Sequence, residues 1–151
     1  MKYTISSINN FLFFKLPLVW WCGIRVKEIS SKSCRANVRL GWFNKNPFKS
    51  LFWAVQGMAA ELTTGMLIMQ AITSSKKNIS MLVLNNKANF SKKAKGLISF
   101  NCYQGENINE IINKLLESKK PQTLWVKSVG KDESGDVVSS FDFEWTLMLK
   151  K

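Results

Sequence analysis

Histidine is absent from the 151-residue sequence, and this absence restricts the possible chemistry more than any other feature. Without an imidazole the chain has no Ser/His/Asp triad, no Cys/His pair and no His-based zinc site. Proton transfer must use carboxylates, lysine, tyrosine, cysteine or backbone groups. Glycine and proline are also few, with 8 and 3 residues, while 46% of the residues are hydrophobic. This composition excludes disordered and collagen-like classes and predicts a single folded domain over residues 1–151.

Cysteine is scarce as well, with three residues in the chain. Cys22, Cys34 and Cys102 form no CxxC pair and lie beside apolar residues, so we interpret them as reduced core residues. The sequence predicts no metal site. Polar residues interrupt the apolar leading segment between positions 6 and 10, and no small-residue cleavage site follows. We therefore expect a cytoplasmic location.

Acidic residues are outnumbered, because 10 Asp and Glu stand against 22 Lys and Arg and give a net charge of +12. Residues 31–60 contain five basic residues and no acid, whereas half of the acids lie between positions 132 and 144. Such a basic region suggests nucleic acid, an anionic lipid surface or a phosphate-bearing molecule such as coenzyme A as partner, with simple solubility as the alternative. No nucleic-acid recognition motif accompanies the charge, so we expect no nucleic-acid partner.

The spacing of apolar residues predicts the order of helices and strands. Positions 4–15 have helical spacing behind Thr4, a candidate N-cap, and Pro17 ends the pattern. A second amphipathic helix is predicted over 107–118. Alternating apolar and polar residues predict strands, the first two forming a hairpin with a basic face, at 24–27, 34–40, 81–90, 96–103, 123–129 and 137–149.

The longest helical candidate runs from Leu51 to about Thr73, with Ser50 as its candidate N-cap and Glu61 as its only charged residue. A membrane span is the alternative for so apolar a run. Polar residues occur throughout its middle, and a carboxylate at mid-span is costly in hydrocarbon, so no membrane span is expected. We interpret the run as a helix buried on nearly all sides against an antiparallel sheet, in an α+β domain.

Gly57, Glu61 and Gly65 recur at four-residue spacing, with Trp53 one turn earlier, so they share one helix face. Each glycine costs about 1 kcal/mol relative to alanine in a helix interior, so the pair predicts close approach or open space beside Glu61. Burial would raise the pKa of this carboxyl toward the range of a general base. The alternative is a structural Glu61, bonded to strand amides or to a basic residue at a subunit interface.

Residues 46–65 read NPFKSLFWAVQGMAAELTTG. This run resembles the Asn-His-x-Gly-Thr-Leu-Phe-Gly-Gly segment, followed in the same helix by Glu-x-x-x-Gly, of hotdog-fold acyl-CoA thioesterases of the phenylacetate-degradation type, and the order of elements is similar over most of the chain. The resemblance implies a long central helix wrapped by a curved antiparallel sheet of about six strands, with an N-terminal helix and an extra helix near 107–118. It also implies a homodimer or homotetramer with the acyl-CoA at the dimer interface.

The resemblance implies roles for individual residues. Glu61 falls on the catalytic carboxylate, and Asn46 falls on the polar loop residue that contacts the substrate. Trp53 and Ala54 fall on the helix N-terminal glycines whose backbone N–H groups polarise the thioester carbonyl, a role that suits the partial positive charge of a helix N-terminus.

The sequence departs from the family pattern at several of these positions. Pro47 stands where the family has histidine, and Lys49 stands where it has a loop glycine. Trp53 and Ala54 replace the Gly-Gly pair, so we expect an indole in the space where the thioester should lie. These departures bear on catalysis more than on fold.

Two functions are therefore open. One is hydrolysis of acyl-CoA or a related acyl thioester, with coenzyme A entering only as part of the substrate and no separate cofactor. Lys45 and Lys49 would then meet the phosphates of coenzyme A, and Gly57 and Gly65 would line the substrate space. The other is a non-catalytic hotdog protein that binds an acyl or lipid-like ligand or only dimerises. Open space beside Glu61 favours hydrolysis, and a filled space favours the second function.

Overall fold

A computed structural model describes residues 3–150 as an α+β fold in which one long helix lies against a curved antiparallel sheet. The sheet contains six strands in the order β1-β2-β4-β5-β6-β3, so β1 and β3 are its two edges. The elements in chain order are α1 (Ile5–Lys15), α2 (Pro17–Trp21), β1 (Arg25–Ile29), β2 (Cys34–Arg39), α3 (Trp53–Ser75), β3 (Ile79–Phe90), β4 (Leu97–Cys102), α4 (Gly105–Ser118), β5 (Gln122–Lys131) and β6 (Val137–Leu149). The fold class predicted from the sequence is confirmed.

The central helix α3 is buried unevenly along its length. Its middle is enclosed, since every residue from Leu62 to Ile68 is buried. Its first part keeps one open face, along which Trp53 is exposed and Gly57 and Glu61 are half-buried, and its last turn includes the exposed Ser74. Burial on nearly all sides is therefore correct only for the middle of the helix. Within residues 3–150 no helix has the length and hydropathy to cross a membrane.

The start of α3 lies later than the sequence suggested. Ser50 is not its N-cap, because the helix begins at Trp53 and Phe52 caps it without a side-chain hydrogen bond. The Ser50 hydroxyl instead accepts from Asn46 Nδ2 at 2.9 Å, while Asn46 Oδ1 accepts from the Ser50 N–H at 3.2 Å. This turn keeps the chain extended as far as Phe52, so the first helical N–H groups have no side-chain partner.

The N-terminal helices differ from the prediction by one element. Thr4 caps α1 as expected, since its Oγ1 accepts from the Ser7 N–H at 3.1 Å and Ser7 completes a capping box. Pro17 ends α1 but also opens α2, where a proline at the first helical position loses no hydrogen bond. The five-residue α2 is too short to show a helical period, which explains why the sequence did not indicate it.

All three cysteines are free and buried, as predicted. Cys34 on β2 faces Cys102 on β4 across the sheet. Burial raises the pKa of Cys34 to about 12 and that of Cys102 to about 11. These thiols are therefore protonated at neutral pH and act as small core residues.

Gly105, the first residue of α4, provides a test of the packing. A Cβ added there would lie 2.1 Å from the Ser31 carbonyl oxygen, in the turn between β1 and β2. Because backbone must move to admit it, Gly105→Ala should lower the free energy of unfolding by roughly 1–3 kcal/mol in urea denaturation. Gly41→Ala is the matched control, since nothing lies within 4 Å of its added Cβ. Equal unfolding midpoints for the two variants would contradict the packing described here.

Candidate active site

A cavity of about 270 Å³ lies along the open face of α3, and we call it the Glu61 cavity. Its walls come from the first half of α3, from β3 and from β6. The lining residues are Trp53, Ala54, Gly57, Met58, Glu61, Asn86, Phe141 and Phe143. Four residues that the sequence singled out, Glu61, Trp53, Ala54 and Gly57, thus meet at one space. The cavity has this volume with the Trp53 side chain in place, and the indole is itself 59% exposed.

The two glycines of α3 have different surroundings. A Cβ on Gly57 would lie 3.4 Å from the Phe141 ring, which is ordinary van der Waals contact at the edge of the cavity. Gly65 does not line the cavity, and an added Cβ there would lie 3.5 Å from both Glu61 Oε1 and the Trp145 ring. The Trp145 indole N–H donates to Thr64 Oγ1 at 3.1 Å and is thereby held in place. The structure therefore places Gly57 in the cavity wall and Gly65 in the core.

The Glu61 carboxylate is half-buried among apolar groups of the cavity. Burial raises the pKa of this carboxyl above its ordinary value. Over residues 3–150 no side chain or backbone N–H donates to it, and no cation pairs with it. A structural Glu61 would bond to strand amides or to a basic residue. The described part of this chain supplies neither. A carboxylate of this kind holds a proton more readily than an exposed one and suits a general base.

The beginning of α3 presents two backbone donors at the other end of the cavity. The N–H groups of Val55 and Gln56 donate to the Phe52 carbonyl at 3.0 and 3.3 Å. Those of Trp53 and Ala54 have no backbone acceptor among the described residues, and both residues line the cavity. Free N–H groups at the positive end of a helix dipole stabilise a developing oxyanion.

A second and larger space of about 530 Å³ adjoins the first, and we call it the N-terminal groove. Trp53 is the wall common to both. The other lining residues are Asn46, Pro47, Phe48, Ser50, Leu51, Phe52, Gln56, Phe90, Ser91, Lys92, Lys93 and Ala94. The groove thus combines aromatic rings with a basic edge at Lys93, since Lys92 forms ion pairs with Asp132 and Asp136, each at 2.7 Å.

Asn46 lies in the N-terminal groove and not beside Glu61. Its side chain is engaged in its own turn, where Oδ1 accepts from the Phe48 N–H at 2.9 Å and Nδ2 donates to Ser50. Lys45 and Lys49 are exposed on either side of it. Lys49 has a φ of 60°, a left-handed conformation that glycine adopts most readily, at the position where the family pattern has glycine.

Several site residues were not singled out from the sequence. Asn86 enters the Glu61 cavity from β3, and Phe141 and Phe143 enter it from β6. The alternation of β6 did indicate which of its residues point inward, but not that they face Glu61. Lys92 and Lys93 border the groove, and the charges of the 92–95 run were the available signal.

Asn44 fixes the loop before α3 to the rest of the protein. This buried side chain donates to the Cys22 and Arg39 carbonyls, each at 2.9 Å, and its Oδ1 accepts from the Gly41 N–H. Its backbone carbonyl accepts from the Phe52 N–H at 2.9 Å. One residue therefore connects α2, the loop after β2 and the N-cap of α3.

Solved structures share this fold over nearly the whole chain. A Pseudomonas aeruginosa protein of unknown function, described as a probable thioesterase, has a TM-score of 0.84 at 20% identity, covering 99% of each chain. A thioesterase from Haemophilus influenzae has a TM-score of 0.77 at 12% identity, covering 99% of this chain and 93% of the other. A mutant thioesterase from P. aeruginosa also has a TM-score of 0.77 at 12% identity, covering 99% and 97%. The hotdog fold expected from residues 46–65 is confirmed.

No curated protein sequence matches this chain significantly. The model of one family, described as a domain of unknown function and designated DUF4442, matches residues 6–147. That span begins in α1 and ends in β6, so it includes the central helix and both walls of the Glu61 cavity. The chain therefore belongs to the DUF4442 family, with a hotdog fold.

Proposed function

We propose that the protein hydrolyses an acyl thioester, with acyl-CoA as the expected substrate class, at the Glu61 cavity. The observation that carries the proposal is the Glu61 carboxylate, which has no partner among residues 3–150 and lies in an apolar cavity that is also lined by two residues whose helix N–H groups have no acceptor in that range. An unpaired carboxylate in such surroundings costs stability, and a catalytic role explains its presence.

The proposed reaction uses the groups that line the cavity. Glu61 removes a proton from a water molecule as the water oxygen attacks the thioester carbonyl carbon. A helix N-terminus stabilises the resulting oxyanion, and collapse of the intermediate breaks the C–S bond and releases a thiol that takes up the proton. Direct attack by the Glu61 oxygen, followed by hydrolysis of the anhydride, is the second route available to the same residue.

The geometry of one protomer suggests that the site is shared between two copies. Glu61 follows Trp53 and Ala54 by about two turns, which places them about 10 Å apart along the axis of α3. One thioester carbonyl therefore cannot contact both Glu61 and the Trp53 and Ala54 N–H groups of the same chain. If a second copy places its α3 antiparallel alongside the first, its helix N-terminus can lie beside Glu61.

The edge strand β3 supports assembly into a homodimer. It pairs only with β6, and its residues from Leu84 to Phe90 are exposed. A long unpaired edge is a template for another strand, so pairing of two β3 edges would join the sheets of two copies. Because Asn86 on β3 lines the Glu61 cavity, a partner at this edge would also enclose the cavity.

Coenzyme A would enter as part of the substrate, with no separate cofactor. Its phosphates would lie at the basic edge of the N-terminal groove, near Lys45, Lys49 and Lys93. The aromatic rings of that groove offer an apolar surface to the remainder of the molecule. This arrangement leaves the thioester beside Trp53, the residue that borders both spaces.

One observation favours a non-catalytic alternative, in which the protein binds an acyl or lipid-like ligand without cleaving it. The side chain of Asn46 is fully used by its turn, and Pro47 replaces the histidine of the family pattern. Both polar loop groups are thus withdrawn from the substrate. The two functions therefore differ in whether Glu61 can hydrolyse the thioester without help from these loop groups.

The substitution Glu61→Gln tests this role. Gln keeps the volume but cannot accept a proton, so hydrolysis of acyl-CoA should fall by about a hundredfold or more, measured by thiol release. Wild-type activity should also decline as the pH falls through the raised pKa of Glu61, since only the ionised carboxylate is a base. Wild-type hydrolysis in the Gln variant would exclude the catalytic role.

The stability of the same variant separates catalysis from structure. Because the folded state raises the pKa of Glu61, ionisation destabilises the fold as the pH rises through that pKa. The melting temperature of Glu61→Gln at neutral pH should therefore equal or exceed that of the wild type. A loss of about 3 kcal/mol would instead indicate a structural ion pair at an interface.

Sedimentation velocity tests the proposed dimer. The wild type should sediment above its 17.3 kDa protomer mass at micromolar concentration. The double variant Leu82→Lys/Leu84→Lys should sediment as a monomer, because lysines on an edge strand oppose pairing. Met148→Lys, which adds the same charge to an exposed position of the interior strand β6, should remain dimeric. A monomeric wild type would contradict the proposal.

Ligand affinity tests the proposed phosphate site. Replacement of Lys45 and Lys49 by alanine should weaken coenzyme A binding by about tenfold in calorimetry, with little change in melting temperature. Added salt should reduce the difference, because exposed charges are screened. Lys114→Ala on α4 is the control and should bind as the wild type does. Unchanged affinity in the double variant would reject these lysines.

A further inference from the structure

A cluster of aromatic side chains is exposed at the N-terminal end of the chain, remote in sequence from Glu61 and β3. We call it the aromatic patch, and it comprises Phe13, Phe14, Trp20, Trp21, Trp42 and Phe43. Ring centroids lie 4.9 Å apart for Phe13–Phe14, 5.3 Å for Phe13–Trp20, 5.8 Å for Trp21–Phe43 and 5.9 Å for Trp42–Phe43. The two contacting groups are joined through the adjacent residues Trp20 and Trp21.

Most of the patch lies outside the core, although Trp20 packs partly against it. Helix α1 buries Ile8 and Leu12, while Phe14 is 74% exposed, and no residue of α2 is fully buried. Trp42 is 78% exposed in the loop after β2. With roughly 200 Å² per ring, the exposed aromatic residues present roughly 600 Å² of surface. This equals the largest apolar patches of ordinary monomers, which commonly serve as binding surfaces.

Two cations, Arg25 and Lys15, adjoin the patch. Between positions 11 and 50 the chain has eight Lys and Arg and one acid, Glu28, although Lys32, Arg35 and Arg39 form ion pairs with acids. The Arg25 guanidinium lies 3.3 Å from the Trp20 ring centroid, and its Nη1 donates to the Trp20 and Ile24 carbonyls at 2.8 Å. Lys15 directly follows Phe14 and makes no ion pair within the described residues. The patch is thus apolar at its centre and cationic at its border.

We propose that the aromatic patch docks the protein on an anionic lipid bilayer surface. Tryptophan and phenylalanine insert at the boundary between headgroups and acyl chains, where an apolar ring and a polar edge are both accommodated. Short apolar helices with basic neighbours lie in that interface and do not span it. Lys15 and Arg25 would meet the headgroup charges, each basic residue strengthening attachment by about fivefold.

A second copy of the chain is a less suitable occupant. In a two-fold interface the same patch of both copies meets, so each copy would bring Lys15 and Arg25 and neither would bring an acid from the patch. Like charges oppose such contact. Single-stranded nucleic acid also suits basic and aromatic residues, but it stacks its bases on open ring faces. Here the Phe13 ring stands edge-on to Phe14 and Trp20 at 85° and 78°, and aliphatic Leu16 and Leu18 lie beside them in the chain.

Vesicle flotation of the full chain tests the proposal. The wild type should float with phosphatidylcholine vesicles that contain phosphatidylserine and much less with phosphatidylcholine alone. The double variant Phe14→Ala/Trp42→Ala should bind at least about tenfold more weakly, since two inserted rings are lost. Its melting temperature should be unchanged because both side chains are exposed. Tyr103→Ala, which removes a ring that is 74% exposed at the end of β4, should float as the wild type does.

A charge variant provides an independent measurement. Lys15→Gln should weaken binding to the anionic vesicles by about fivefold, whereas Lys114→Gln on the distant α4 should not. Attachment should also decrease with added salt.

Four results would overturn the proposal. They are no flotation of the wild type with anionic vesicles, equal flotation of the wild type and the double aromatic variant, a change of sedimentation state in that variant, and binding of single-stranded oligonucleotide that depends on the patch when vesicle binding does not. The third would assign the patch to self-association, and the fourth would assign it to nucleic acid.

Discussion

The close contact between α3 and β6 determines most of what the structure can do. Phe141 and Trp145 pack beside Gly57 and Gly65 on the helix, each at a distance where an added Cβ would make ordinary van der Waals contact with the ring. Glu61 lies between these two glycines in the chain, and its partial burial raises the pKa of its carboxyl. The packing that stabilises the hotdog fold thus also creates the chemical character of its cavity.

The sequence predicted what depends on local periodicity. The alternation of 137–149 and the four-residue spacing of Gly57 and Glu61 translated directly into a strand and a shared helix face. It did not predict that Trp145 fills the space at Gly65, because that contact joins residues 80 positions apart. Nor did it predict the position of Asn46, whose amide was free to bond either substrate or its own turn. The sequence thus did not predict residues whose role depends on packing against distant parts of the chain or on a choice between competing local hydrogen bonds.

The Glu61 cavity and the N-terminal groove meet at Trp53, at the start of α3. Trp53 divides them, so a ligand that occupies both must bend around an indole. In the family pattern a pair of glycines stands at this point, and the bulky residue here would limit which acyl groups can pass. Under the proposed hydrolysis, we therefore expect the orientation of the Trp53 side chain to limit the substrate range more than the volume of either space does.

Asn44 gives the aromatic patch and the start of α3 a common support. Its side chain bonds α2 and the loop after β2, and its backbone bonds Phe52. The buried Asn44 amide makes three hydrogen bonds. A hinge motion between these segments would leave its polar atoms unpaired, which costs free energy. A displacement of Trp42 or Trp21 would consequently move the start of α3 as well, because Asn44 connects all three segments.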